Sequence, residues 1–97
     1  MTELSPVPAG HGDPLRAAAV VLVTSRECSA CRAAKPLVAD VAAEFGVEAR
    51  EARIEDHPEL GPRMGAEIPV LVIDGVPRDF WVIDPARFRR LMAERAA

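Results

Sequence analysis

Apolar positions along the chain fall into runs whose period changes from segment to segment, and each change marks a predicted element. The stretch "AAAVVLVTS", residues 17–25, is a continuous apolar run rich in valine, the pattern of a strand buried on both faces. From Ala34 the period becomes helical. Ala34, Leu37, Val38, Val41, Ala42 and Phe45 share one face, and Gly46 is placed to end that helix. "VEAREARI", residues 47–54, alternates imperfectly and carries two arginines, which predicts a short edge strand. "HPELGPRMG", residues 57–65, begins like a short helix, with Asp56 or His57 as its cap and Pro58 at its first position. "IPVLVIDG", residues 68–75, is a second strongly apolar strand. Its Asp74-Gly75 turn sends "VPRDFWVI", residues 76–83, back as a hairpin partner. Asp84-Pro85 opens a last helix with a narrow stripe of Phe88, Leu91 and Met92.

Residues 1–16 hold three prolines and two glycines with no apolar period, so a flexible N-terminal tail is expected there, followed by a single domain over 17–97. The element order β-α-β-α-β-β-α predicts an α/β fold. Its first half is a right-handed parallel crossover, its second half a hairpin and a helix, and together they give a four-stranded mixed sheet with helices on both faces.

A chain of 97 residues that is 49% hydrophobic can bury a core without disulfide staples. The net charge of −3 is made of scattered charges with no basic stripe, which argues against nucleic acid as a partner. No run approaches the ~20 apolar residues of a membrane span, and the residues before the first strand have no basic start and no small-residue cleavage site. A cytoplasmic monomer is expected. That compartment keeps thiols reduced, so a transient disulfide fits better than a permanent one.

Cys28 and Cys31 are the two cysteines of the chain, three positions apart where the first strand gives way to the helix. At that spacing they lie on one helical face, close enough to bond. Cys28 falls where unpaired backbone N–H groups and the helix dipole favour an anion, so its thiol pKa should fall below the usual value. Cys31, one turn further in, should stay protonated. Three other readings compete with a redox dithiol. Zinc wants four ligands, whereas here one pair is accompanied by His11 in the tail and His57 near a helix start, so no metal site is expected. A dimer could offer two pairs to an iron–sulfur cluster, and two inert cysteines could simply pack. Exposed nucleophile beside protected partner is the asymmetry that thiol–disulfide exchange requires.

The text around the pair resembles the thioredoxin superfamily, and most of all its short bacterial glutaredoxin-like members. "CSACRAAKPLV" is similar to the glutaredoxin pattern in Ala34 and Lys35, and Pro36 resembles the kink proline of thioredoxins. "RMGAEIPVLVIDG" resembles the segment leading into their third core strand, where the proline after Ile or Val follows a cis peptide bond and faces the sulfurs. The resemblance therefore implies a cis Ile68–Pro69 bond, with Ile68 and Pro69 pairing with an extended substrate as an added strand would. It covers Ala18 to the C-terminus. It implies a thioredoxin fold and a thiol–disulfide oxidoreductase in which Cys28 attacks a protein or small-thiol mixed disulfide and Cys31 resolves it. No cofactor is bound, and electrons come from a low-molecular-weight thiol or a flavoprotein such as thioredoxin reductase. The alternative is a dimeric iron–sulfur protein or a non-catalytic adaptor of the same fold. The sequence departs from glutaredoxins in having Ser29-Ala30 between its cysteines and Asp79-Phe80 where those proteins hold a Gly-Gly pair for glutathione. Glutathione use is thus not implied. Phe80 and Trp81 are candidates to border the substrate groove, and Arg63 and Arg78 to meet an anionic substrate.

Overall fold

The computed structural model describes residues 4–10 and 12–96. Five strands form one sheet in the order β1-β3-β2-β4-β5: β1 (Ser5–Pro6), β2 (Val20–Thr24), β3 (Ala49–Arg53), β4 (Val70–Ile73) and β5 (Val76–Phe80). The valine-rich run is the central strand β2, buried at every position as its lack of alternation predicts. It pairs in parallel with β3, Leu22 opposite Glu51, and antiparallel with β4, Leu22 opposite Leu71. β4 turns back into β5 through Asp74 and Gly75, both at positive φ, as the Asp-Gly pair requires. β5 ends at Phe80, three residues short of the apolar run, because Trp81 leaves the strand in a left-handed conformation.

The sheet carries two apolar layers. Helices α1 (Ser29–Glu44) and α3 (Pro85–Ala96) cover one face, where Val20, Leu22, Leu71 and Ile73 meet Val38, Val41, Phe88 and Met92. Phe45 and Gly46 (φ 66) end α1 at the position the sequence predicts. On the other face Val21, Val23, Val70 and Val72 meet Leu60 and Met64 of the short helix α2 (Leu60–Met64), together with Val7 and Leu15.

Val7 and Leu15 overturn part of the sequence reading. Residues 4–10 and 12–16 are not a loose tail. They add β1 beside β3, a 3-10 turn over Pro14–Arg16 and two fully buried side chains. The Val7 N–H donates to Glu51 O at 2.8 Å, and the buried His57 Nε2 donates to Val7 O at 3.0 Å. Burying one such side chain is worth about 1.5–3 kcal/mol, so these two residues, together with the bonds of β1 to β3, offset part of the entropy lost in ordering a Pro- and Gly-rich segment. The sheet therefore has five strands rather than four, and β3 is an interior strand rather than an edge. Neither Asp56 nor His57 caps α2, which starts at Leu60 after Glu59 without a side-chain cap bond. His57 is committed to Val7 instead. His11, placed in the tail from sequence, lies outside the described residues.

Candidate functional site

β2 delivers the chain to a short loop, and α1 begins immediately after Cys28. Cys28 has extended backbone angles and occupies the N-cap position, where a side-chain acceptor normally satisfies one of the orphan N–H groups of a helix start. Its Sγ fills that role, accepting the N–H of Cys31 at 3.1 Å. The two sulfurs are joined as a disulfide with the Cα atoms 5.2 Å apart. Cys28 is half-buried, whereas Cys31 is only 1% exposed under the helix. The loop before the pair is held by Glu55, whose carboxylate accepts the Arg26 N–H at 3.0 Å. That bond holds the Glu55 carboxyl below its ordinary pKa, more than offsetting a desolvation that pushes it up.

The Ile68–Pro69 bond is cis, as the resemblance implies. Pro69 is buried, and its carbonyl accepts the Trp81 N–H at 3.0 Å. Ile68 closes the 3-10 turn over Gly65–Glu67 in an extended conformation and leads through Pro69 into β4.

Trp81 is the one tryptophan of the chain. It stands at φ 62, a conformation costing on the order of 1–3 kcal/mol for a bulky residue. Hydrogen bonds hold it there. Its N–H is shared between Glu67 O and Pro69 O, and its indole N–H donates to Ala66 O at 3.1 Å. The residue remains 61% exposed. With Val82 and Ile83 it walls a cleft of about 190 Å³ whose other side is Ala30, Ala33, Ala34 and Leu37 of α1. Ala30 lies between the cysteines in the chain, so one end of the cleft is at the first turn of α1, although neither cysteine lines it. Trp81 thus lines the cleft, whereas Phe80, Arg63 and Arg78 are exposed and line no part of it.

Sequence reasoning missed the charged group beneath the start of α1. Glu51 is 7% exposed, and its Oε2 accepts from Thr24 Oγ1 at 2.6 Å and from Lys35 Nζ at 2.9 Å. The signal was present. Glu51 shares a strand face with Ala49, which packs into the α1 layer, so an acid there must find a cation, and Lys35 is the sole lysine. Lys35 stands four residues after Cys31, one helical turn on the same face. Among the described residues no group of three or more His, Cys, Asp or Glu is gathered as metal ligands, and no helix is long and apolar enough to cross a membrane.

A family model described as "Glutaredoxin-like domain (DUF836)" matches residues 19–93. No curated protein matches the chain. Solved structures with the same architecture include reduced desulfothioredoxin from Desulfovibrio vulgaris Hildenborough. That structure has 20% identity and a TM-score of 0.67, over 97% of this chain and 99% of that one. A thioredoxin of Malassezia sympodialis is 15% identical with a TM-score of 0.64, over 100% of this chain and 94% of that one. Oxidised thioredoxin of Plasmodium falciparum is 13% identical with a TM-score of 0.53, over 86% of each chain. At these identities the likeness establishes the fold, which is the thioredoxin fold.

Proposed function

The chain belongs to the glutaredoxin-like family, and from that premise we propose that it is a thiol–disulfide oxidoreductase reducing protein or mixed disulfides in the cytoplasm. The observation that carries this reading is the inequality of the two sulfurs. Cys28 is partly exposed and its Sγ already accepts a helix-start N–H, while Cys31 is buried one turn behind it. In the reduced protein the same N–H and the helix dipole favour a thiolate at Cys28.

The Cys28 thiolate attacks one sulfur of the substrate disulfide. The substrate S–S bond breaks, the departing sulfur takes up a proton, and a Cys28–substrate mixed disulfide forms. Cys31 then gives up its proton and attacks Cys28 Sγ, releasing the second substrate thiol. The substrate has gained two electrons and two protons, and the enzyme is left with the Cys28–Cys31 disulfide. Two equivalents of a low-molecular-weight thiol, or one turnover of a flavoprotein such as thioredoxin reductase, return it to the dithiol. Ile68 and Pro69, which lead into β4, hold the substrate backbone in line with the sulfurs.

Two variants test the roles. Cys28→Ser should reduce no disulfide, and Cys31→Ser should accumulate a mixed disulfide visible as added mass on the intact protein. Undiminished reduction by Cys28→Ser rejects the assignment. Assays coupled to thioredoxin reductase with NADPH, and separately to glutathione with its reductase, identify the donor.

A further inference from the structure

Trp81 has a backbone conformation that bulky residues rarely adopt, and the exchange reaction described above gives it no task. A strained residue persists only where its surroundings hold it, and such positions gather at working sites. What holds Trp81 is specific. Its backbone N–H is shared between Glu67 O at 3.1 Å and Pro69 O at 3.0 Å, and its indole N–H donates to Ala66 O at 3.1 Å. Three of the four carbonyls of residues 66–69 are therefore taken by one residue. Two of them, those of Glu67 and Pro69, stand on either side of Ile68.

The segment so held is thinly packed. Ala66 is exposed, and Glu67 and Ile68 are half-buried. Gly65–Glu67 form a 3-10 turn, whose hydrogen bonds have poorer geometry than those of an α-helix. Its place follows from the sheet register. β4 runs antiparallel to β2 with Val70 opposite Val23, so the next step sets Pro69 level with Thr24. Thr24 ends β2, and from there the chain runs through residues 25–27 to Cys28. Trp81 leaves the sheet at this same end, because Val70 is also opposite Phe80. The bond to Pro69 O simply continues the strand pairing. Those to Glu67 O and Ala66 O reach past the last strand pair into the 3-10 turn, and the one to Ala66 exists only because this side chain carries a donor.

We propose that Trp81 is a positioning residue of the exchange reaction: by holding the carbonyls of Ala66, Glu67 and Pro69 it fixes the backbone at Ile68 for pairing with a polypeptide substrate. The role rests on the oxidoreductase reading, whereas the bracing of residues 66–68 is a property of the fold and is measured without turnover. A segment fixed in advance favours disulfides carried on a peptide backbone, which pair with it as an added strand. A small disulfide without such a backbone gains nothing from it.

Two variants of the full-length protein test this. Trp81→Phe keeps an aromatic ring, the positive φ and the backbone N–H but loses the indole donor. Trp81→Gly loses the same donor and suits the positive φ. Each prereduced protein is mixed with a Gly/Ser-rich heptapeptide joined as a homodimer through its single cysteine, and separately with bis(2-hydroxyethyl) disulfide. Acid quenching and the mass of the released thiol give second-order rate constants. The peptide rate should fall about fivefold in Trp81→Phe and at least as far in Trp81→Gly, the size of one lost hydrogen bond, while the small-disulfide rate stays within about twofold of wild type. Equal falls on both substrates, or no fall on the peptide, would overturn the role and leave the oxidoreductase reading standing. A wild-type rate in Trp81→Gly beside a slow Trp81→Phe would overturn it as well, by assigning the effect to backbone strain. In a second arm, amide hydrogen exchange of residues 66–68 in the oxidised protein should be about fivefold faster in Trp81→Phe, with the amides of β2 unchanged. Unchanged exchange at 66–68, or faster exchange throughout the sheet, rejects the brace. If the wild type reduces neither disulfide, the oxidoreductase reading fails and takes the positioning role with it, and faster exchange confined to 66–68 then establishes the brace alone.

Discussion

Two helix starts in this small domain meet the same backbone demand with different atoms. α3 is capped by Asp84, whose Oδ1 accepts the N–H groups of Ala86 at 3.0 Å and Arg87 at 3.4 Å. α1 is capped by a sulfur, Cys28 Sγ accepting from Cys31 at 3.1 Å. The sulfur is neutral while it is bonded to Cys31 and gains the option of a full negative charge once the disulfide is reduced. A helix start prefers an anion; in α3 that preference serves architecture, and in the proposed exchange reaction it would serve the chemistry of α1. What lies beneath differs in the same sense. α3 rests on the sheet through Phe88, Leu91 and Met92, whereas the first turns of α1 cover the Glu51–Lys35–Thr24 cluster.

The sharpest break of this contrast is Cys28→Ser. Serine is itself a good N-cap, so α1 should keep its start and the melting temperature should match that of the reduced wild type, while disulfide reduction drops to background. Loss of both fold and activity would mean that the sulfur is as structural as Asp84. The next largest effect concerns reactivity. In the reduced protein Cys28 should be alkylated by iodoacetamide at a pH below that of an ordinary thiol, with Cys31 unmodified, as peptide mass mapping would show. Two sulfurs alkylated in parallel would erase the distinction between a capping atom and a buried one.

Stability changes are smaller. Glu51→Ala removes the acceptor of the Thr24 hydroxyl and the partner of Lys35, and should cost about 1–3 kcal/mol in urea unfolding. Lys35 keeps part of its hydration through its exposed side, which holds the cost below that of a fully buried pair. Asp84→Ala should cost about 1 kcal/mol, and Asp84→Asn less, since the amide oxygen still caps. The smallest effect is at Glu55. Its pKa is lowered in the folded protein by the Arg26 N–H, so its contribution is fully present above the unfolded carboxylate value and is lost as the pH falls through the lower folded value. Wild type and Glu55→Gln should therefore differ slightly in melting temperature at pH 6 and converge in strong acid. A constant gap across that range would assign the effect to shape rather than charge.

Local pattern carried the reading a long way. The unalternating valines of β2, the 3.6-residue period from Ala34, Gly46, the Asp74-Gly75 turn and the Asp84-Pro85 start all work through neighbours a few residues away, and each stands where its pattern places it. The cysteine pair was legible for the same reason, since a spacing of three at a strand-to-helix junction fixes its geometry. Residues whose role depends on a distant partner were not. His57 looked like a cap until Val7, fifty positions away, supplied a carbonyl. Glu51 looked like a charge on an edge strand until β1 covered that edge and α1 brought Lys35 over it. Trp81 belonged to an apolar run, and only its bonds to residues 66–69 turn it out of the strand.

By itself the sequence determined the order of elements from β2 onward, the helix capped at Cys28 and the identity of the two sulfurs, because periodicity and capping act over one or two turns of chain. Only the tertiary structure decided that the N-terminal segment joins the sheet, that a carboxylate is buried under α1 and that an apolar cleft opens beside Ala30. Those depend on strand order and on which faces are pressed together. Burial is a property of the assembled layers, and a charge or an indole acquires its meaning from what is packed against it.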